Sequence, residues 1–212
     1  TLMGFLGMFI TYRMSRKNGQ SSILMLVLSG VIVGAVFEAL TSLIKFVADP
    51  VQKLPAITYW LMGSMAGTSW SDILKAVPFV VVSIAILWLL RWRLNVISLS
   101  EDEAISMGIN IRQTRIIIII TTTVIASVAV SFCGVIAFVG LAVPHLMRML
   151  CGNDHRFLLT ANFLGGGIFL LVIDTLARSA TATEIPLSIL TAVVGAPIFA
   201  ILLHKTGGVW ND

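Results

Sequence analysis

The sequence predicts an all-α protein, a polytopic bundle of membrane-crossing helices, and three observations carry that prediction. Hydrophobic residues make up 58% of the 212 residues and charged residues only 11%, with a mean hydropathy of +1.00, far from the balance of a soluble domain. The apolar residues fall in separate stretches of about the 20 residues that a helix needs to cross the hydrocarbon core. Alternation of β-barrel period is absent, and runs such as Ile116 to Ile120 suit helices, which satisfy their backbone internally where no water can.

Residues 1–12 read as the end of a span, and because the chain opens on Thr1 part-way into an apolar run, it reads as lacking earlier spans. Residues 13–21 are a polar turn. The stretch 22–48 follows and carries Gly30, Gly34 and Glu38 at four-residue spacing, which places two small residues and one acid on one helix face. Asp49-Pro50 ends it, and 55–66 forms an amphipathic piece too short to span. Ser71-Asp72 begins the next stretch, 72–90, which leaves the membrane through Trp88, Trp92, Arg91 and Arg93, an aromatic and basic anchor. Stretches 116–134, 135–150, 158–178 and 187–204 complete the set. The second of these contains Pro144, the third Gly165-Gly-Gly167, and the last is opened by Pro186 and is expected to kink at Pro197. No repeat or soluble domain interrupts this order, so residues 1–212 read as one transmembrane domain.

Orientation follows from the 14 Lys and Arg residues. Arg13, Arg16, Lys17, Arg91, Arg93, Arg112, Arg115, Arg148, Arg156 and Lys205 occupy one set of alternate loops, and Lys45, Lys53, Lys75 and Arg178 the other. The richer set is expected in the cytoplasm. The net charge of +4 is then a matter of topology, and no basic patch with interleaved aromatics suggests nucleic acid.

One short polar insert, residues 98–115, separates two long apolar stretches. Ser100 and Glu103 have capping-box spacing, and Gly108 can adopt the left-handed conformation that stops a helix. Isolated helices this short are marginal in water, so something outside the segment is expected to hold it, with a partner protein the leading candidate and a solvated connecting loop the alternative. The sequence GxxxxGK[ST] occurs nowhere, so the chain cannot cradle ATP phosphates by the P-loop route.

Other chemistry is sparse. Cys133 and Cys151 stand alone, and His145, His155 and His204 lack metal-ligand spacing, so no metal site is expected. Asp174 and Arg178, one turn apart at an outer helix end, suit a local ion pair worth a few tenths of a kcal/mol if exposed. Glu38 lies within a span, where a carboxylate is costly and by default marks a translocation path; a protonated acid bonded to a neighbouring helix is the competing reading. Gly34 and Gly134 join it as candidate path residues, with 22–48 and 116–134 as lining spans.

Several ordered motifs resemble those of permease subunits of ABC importers for iron-siderophores, haem and cobalamin. They are Tyr59-Trp-Leu-Met-Gly-Ser64, the Glu101-to-Gly108 insert, Gly134-Val-Ile-Ala-Phe-Val-Gly-Leu-Ala-Val-Pro-His145, Asp154-His-Arg156, Asp174-Thr-Leu-Ala-Arg178, Glu184-Ile-Pro186 and Gly195-Ala-Pro197. Ala137 stands where the family usually has a second Gly, and Glu38 where it commonly has a small or neutral residue. The resemblance implies the type II importer permease fold, with this chain as the later two-thirds of a roughly ten-span subunit of a prokaryotic inner membrane.

The resemblance also assigns roles. Residues 98–115 become a cytoplasmic coupling segment that docks on an ATP-binding subunit, with Ala104, Ile105 and Met107 supplying apolar contact, Glu101, Asp102 and Glu103 charge complementarity, and Ser100 and Gly108 the two ends. Arg178, steadied by Asp174, becomes the docking residue for an extracytoplasmic substrate-binding protein. The implied assembly has a second copy of the chain and two ATPase subunits that use ATP and Mg, while this chain binds no cofactor of its own. Iron(III)-siderophore is the commonest cargo, with cobalamin, haem and molybdate or tungstate on the same scaffold. An intramembrane enzyme and a passive channel are the readings from other classes.

Overall fold

The structure, a computed structural model, describes residues 2–17, 20–21, 23–99, 101–181 and 183–207, with side-chain surroundings for these except at 16, 17, 20, 21, 23, 101, 102 and 201–207. Among the described residues the chain is helical almost throughout. In order the helices are α1 (Leu2–Ser15), α2 (Ile23–Val47), α3 (Lys53–Leu61), α4 (Trp70–Leu89), α5 (Arg91–Ile97), α6 (Glu101–Ser106), α7 (Ile111–Cys133), α8 (Val139–Cys151), α9 (His155–Ser179) and α10 (Leu187–Gly207). Between α1 and α2, Arg16–Lys17 and Gln20–Ser21 form a two-residue antiparallel ladder.

Four helices, α2, α4, α7 and α9, are long and apolar enough to cross a membrane. The 25 residues of α9 extend about 37 Å at 1.5 Å per residue, enough for a hydrocarbon core of about 30 Å. Only 6% to 11% of the apolar windows in these helices is buried within the chain. A water-soluble fold does not leave so much apolar surface bare.

Inside such helices polar side chains must find partners locally. The Thr121, Thr122 and Thr123 hydroxyls donate to the carbonyls of Ile117, Ile118 and Ile119, and Thr41 and Thr175 donate likewise to Phe37 and Leu171. The Thr run after Ile116–Ile120 therefore continues a membrane helix without exposing an unpaired hydroxyl.

Three boundaries differ from the expectations above. Helix α4 begins at Trp70, because Ser69 forms a full capping box with Asp72 and so supplies the N-terminal partners two residues earlier than Ser71. Helix α7 begins at Ile111, because the Asn110 side chain accepts from the Gln113 N–H at 3.0 Å; a polar first turn lies ahead of the apolar run. The stretch 135–150 is not one helix: residues 134–138 are non-helical, Phe138 takes φ 63°, and α8 covers only 13 residues. Pro197 lies inside a continuous α10.

Packing follows from small residues. Helix α2 packs mainly on α1 through Ser29, Val33 and Phe37; a Cβ on Gly7 of α1 would stand 3.2 Å from the Phe37 ring. Helix α4 lies on α7, and α8 lies against both α9 and α10, where a Cβ on Gly165 would meet the Met147 sulfur at 2.7 Å. Two buried apolar clusters result. Val96, Ala104 and Ile109 close one end of the bundle, and Ile173, Ala177 and Leu187 close the other.

Candidate functional site

At the end of the bundle rich in Arg, α4 gives way at Leu90 to α5, and the Arg91 guanidinium stacks 4.1 Å from the Trp88 ring centre. Six residues of α6 follow. Their C-terminus is closed by a paired turn: the Gly108 N–H donates to the Ile105 carbonyl at 2.9 Å and the Ile109 N–H to the Ala104 carbonyl at 3.2 Å. Gly108 has φ 76°, the left-handed conformation that this termination requires and that Gly adopts without a Cβ penalty. The apolar contact typical of such a turn is present as well, since Ala104 and Ile109 pack together on Val96 of α5. The short helix is thus held in part by the chain's own α5, rather than awaiting a partner to form at all.

This geometry divides the predicted coupling residues. Ile105 and Met107 are exposed at 63% and 52%, and Leu99 beside them at 50%, which leaves an apolar surface directed away from the bundle. Ala104 is 1% exposed, so it faces inward and supports the surface instead of forming it. Glu103 is exposed. The side chains of Glu101 and Asp102 and all of Ser100 lie outside the described residues, so the capping-box half of the expectation does.

A second feature at this end escaped the sequence reading. The Asn95 side chain of α5 donates to Asp154 Oδ1 at 2.6 Å and accepts from the His155 N–H at 2.7 Å, with His155 Nδ1 at 2.8 Å. Asp154 is the N-cap of α9 and also accepts from the Arg156 N–H at 2.9 Å. The Arg156 N–H and the Asn95 amide hold the Asp154 carboxyl below its ordinary range, because both donate to the ionised form. The available signal was an amide in a short segment of Arg, Trp and aliphatic residues.

At the opposite end three chain segments are joined through backbone. The Ser64 N–H donates to the Cys133 carbonyl, and the first N–H groups of α10, from Leu187 and Ser188, donate to the Gly63 and Met62 carbonyls at 2.9 and 3.0 Å. Helix α10 therefore starts with its orphan donors satisfied by another segment. Gly63 and Gly134 touch backbone to backbone: a Cβ on Gly134 would collide with the Trp60 carbonyl oxygen and stand 2.9 Å from the Gly63 Cα. Gly134, predicted to line a path, is thus a buried crossing point, and its φ of 69° serves the turn at the end of α7.

Arg178 and Asp174 lie at this same end. The guanidinium donates from Nε to Asp174 Oδ2 at 2.9 Å and from Nη2 to Oδ1 at 3.2 Å, and the side chains are 48% and 19% exposed. An exposed pair of this kind contributes little to stability, but the fork fixes where the cation points. Glu184 accepts from the Ser64 hydroxyl at 3.3 Å and adds a second acid near Arg178; sequence reasoning placed it in a motif without a role.

Glu38 is exposed on α2, and Gly34 has nothing within 4 Å of a Cβ position. The packing face of α2 is the neighbouring Val33 and Phe37 side, so the described chain brings no helix onto Glu38. Among the described residues no group of three or more His, Cys, Asp or Glu could hold a metal ion, and His145 meets the edge of the Phe199 ring instead.

Comparison with known proteins places this architecture. The sequence profile of the FecCD transport family matches residues 1–205. The chain is 42% identical over 205 residues to the molybdate import system permease protein MolB of Haemophilus influenzae, covering 96% of this chain and 60% of that one. It is 41% identical to a probable iron chelatin transport system permease protein of Helicobacter pylori, over 92% of this chain and 60% of that one. A solved inward-facing structure of a metal-chelate type ABC transporter superposes with a TM-score of 0.90 at 40% identity, covering 96% of this chain and 65% of that one. The chain thus spans somewhat under two thirds of the length of these relatives.

Proposed function

The chain belongs to the FecCD transport family and is a multi-pass membrane protein, and from that premise we propose that it forms the translocating part of the permease subunit of an ATP-driven importer for a metal chelate. The observation that carries the proposal is the α5–α6 unit. It is a six-residue helix closed at its C-terminus by Gly108, seated on α5 by Ala104, with Ile105 and Met107 turned outward in a chain that has no P-loop. That combination suits a surface that receives the movement of a separate ATPase. The Arg-rich end that carries it faces the cytoplasm.

On this reading a second copy of the chain faces the first, and the substrate path runs between them, with Glu38 and Gly34 on the exposed side of α2 as its residues. Two ATPase subunits using ATP and Mg dock at Ile105 and Met107, and Glu101 to Glu103 complement their charge. Arg178, oriented by Asp174, receives a substrate-binding protein at the outer face. The mechanism is alternating access between the two faces of a prokaryotic inner membrane.

The proposed cargo is an iron(III)-siderophore, supported by the iron chelatin relative. Molybdate is the second reading, favoured by the MolB relative of similar identity. Uptake by cells that contain the complete importer separates them: labelled iron(III)-siderophore accumulates several-fold over cells without the permease, and unlabelled molybdate, cobalamin or haem leaves that uptake unchanged. Accumulation of labelled molybdate in place of the iron chelate would transfer the assignment to the oxyanion.

A further inference from the structure

Resting on the importer reading, we infer that Asn95 and Asp154 are positioning residues for energy coupling: their contact ties the α5–α6 unit to the foot of α9, whose far end carries Arg178. Adjacent residues of α5 face two ways. Val96 packs on Ala104 and Ile109, so α5 moves with the coupling surface, while Asn95 binds two successive residues at the start of α9. One amide spends its donor on Asp154 and its acceptor on the His155 backbone, and the same acceptor selects the His155 tautomer with a proton on Nδ1.

The contact fixes geometry more than it stabilises. It joins groups at the bundle surface, where water competes and the net contribution of a hydrogen bond is small. Helix α9 runs unbroken for 25 residues from this contact to Asp174 and Arg178. A continuous helix of about 37 Å can carry displacement of its foot to its other end, as one of the kinds of packed element through which coupling between distant sites travels. The outer end that receives a binding protein and the inner surface that receives an ATPase are therefore joined through one amide.

The test uses the complete importer in lipid nanodiscs, with full-length permease, ATPase subunits and binding protein. Asn95→Asp sets a carboxylate against Asp154 while keeping an acceptor for His155, and the double variant Asn95→Asp/Asp154→Asn reverses the pair. In the single variant, assembly is retained and basal ATP hydrolysis stays within about twofold, whereas stimulation by the binding protein falls about fivefold or more, the lower range of a typical coupling free energy. The double variant regains most of that stimulation. Unchanged stimulation in Asn95→Asp overturns the inference, and so does a loss that the reversal fails to restore, since that marks damage to α5. Absence of stimulation in the unsubstituted complex would instead overturn the importer reading beneath it.

Discussion

Gly134→Ala is expected to destroy the outer junction of the bundle and to leave little folded protein. The added methyl collides with the Trp60 carbonyl and the Gly63 Cα, both backbone groups that cannot swing aside, and the φ and ψ of 69° and −164° lie where only Gly is at ease. Backbone strain of about 1–3 kcal/mol adds to an overpacking cost of about 1–3 kcal/mol. Because the same turn positions the Gly63 carbonyl that receives the Leu187 N–H, α10 loses its anchor too. Thermal unfolding of the detergent-solubilised protein measures the effect, with Gly34→Ala as the control: its Cβ meets nothing within 4 Å, and the substitution leaves the unfolding temperature essentially unchanged. Equal stability of the two variants would show that the crossing is not tight.

The second large effect is on transport. Ile105→Asp combined with Met107→Asp converts the outward apolar surface of α6 into an anionic one without touching its inner support. A carboxylate pressed into an apolar partner cleft with no cation costs several kcal/mol, and each 1.4 kcal/mol is about tenfold in affinity. Uptake by the complete importer is expected to fall more than about tenfold, while the amount of permease in the membrane stays the same. Ala104→Leu acts by another route. It overfills the contact with Val96 and Ile109 at a cost of about 1–3 kcal/mol, so it lowers the stability of the insert together with uptake. Loss of uptake without loss of stability is therefore the mark of the docking surface.

The sequence announced most of the bundle because membrane helices are written in long, contiguous apolar stretches, and α2, α4 and α9 end within a few residues of the expected limits. Its errors fall where short-range polar contacts decide. Ser69 and Asn110 set helix starts through single side-chain bonds, and the break at 134–138 depends on a backbone crossing with Gly63, 71 positions earlier than Gly134. The insert was legible as a short polar helix stopped at Gly108, whose left-handed conformation followed from its being Gly. Its inner and outer sides were not, because only the fold reveals that Ala104 meets Val96 whereas Ile105 does not. The Asn95 contact was illegible for the same reason. Nothing in the spacing of Asn95 and Asp154 indicates that the later part of α5 meets the start of α9.

Dependence of flux on nucleotide tests the central claim most directly. In proteoliposomes containing the full-length permease, its ATPase subunits and luminal or external binding protein as orientation demands, labelled iron(III)-siderophore is expected to accumulate only with hydrolysable ATP on the Arg-rich side. The Ile105→Asp/Met107→Asp permease in the same vesicles is expected to show background uptake. Flux that proceeds at the same rate without ATP, or with the substituted permease, would contradict the account and make the chain a passive conduit.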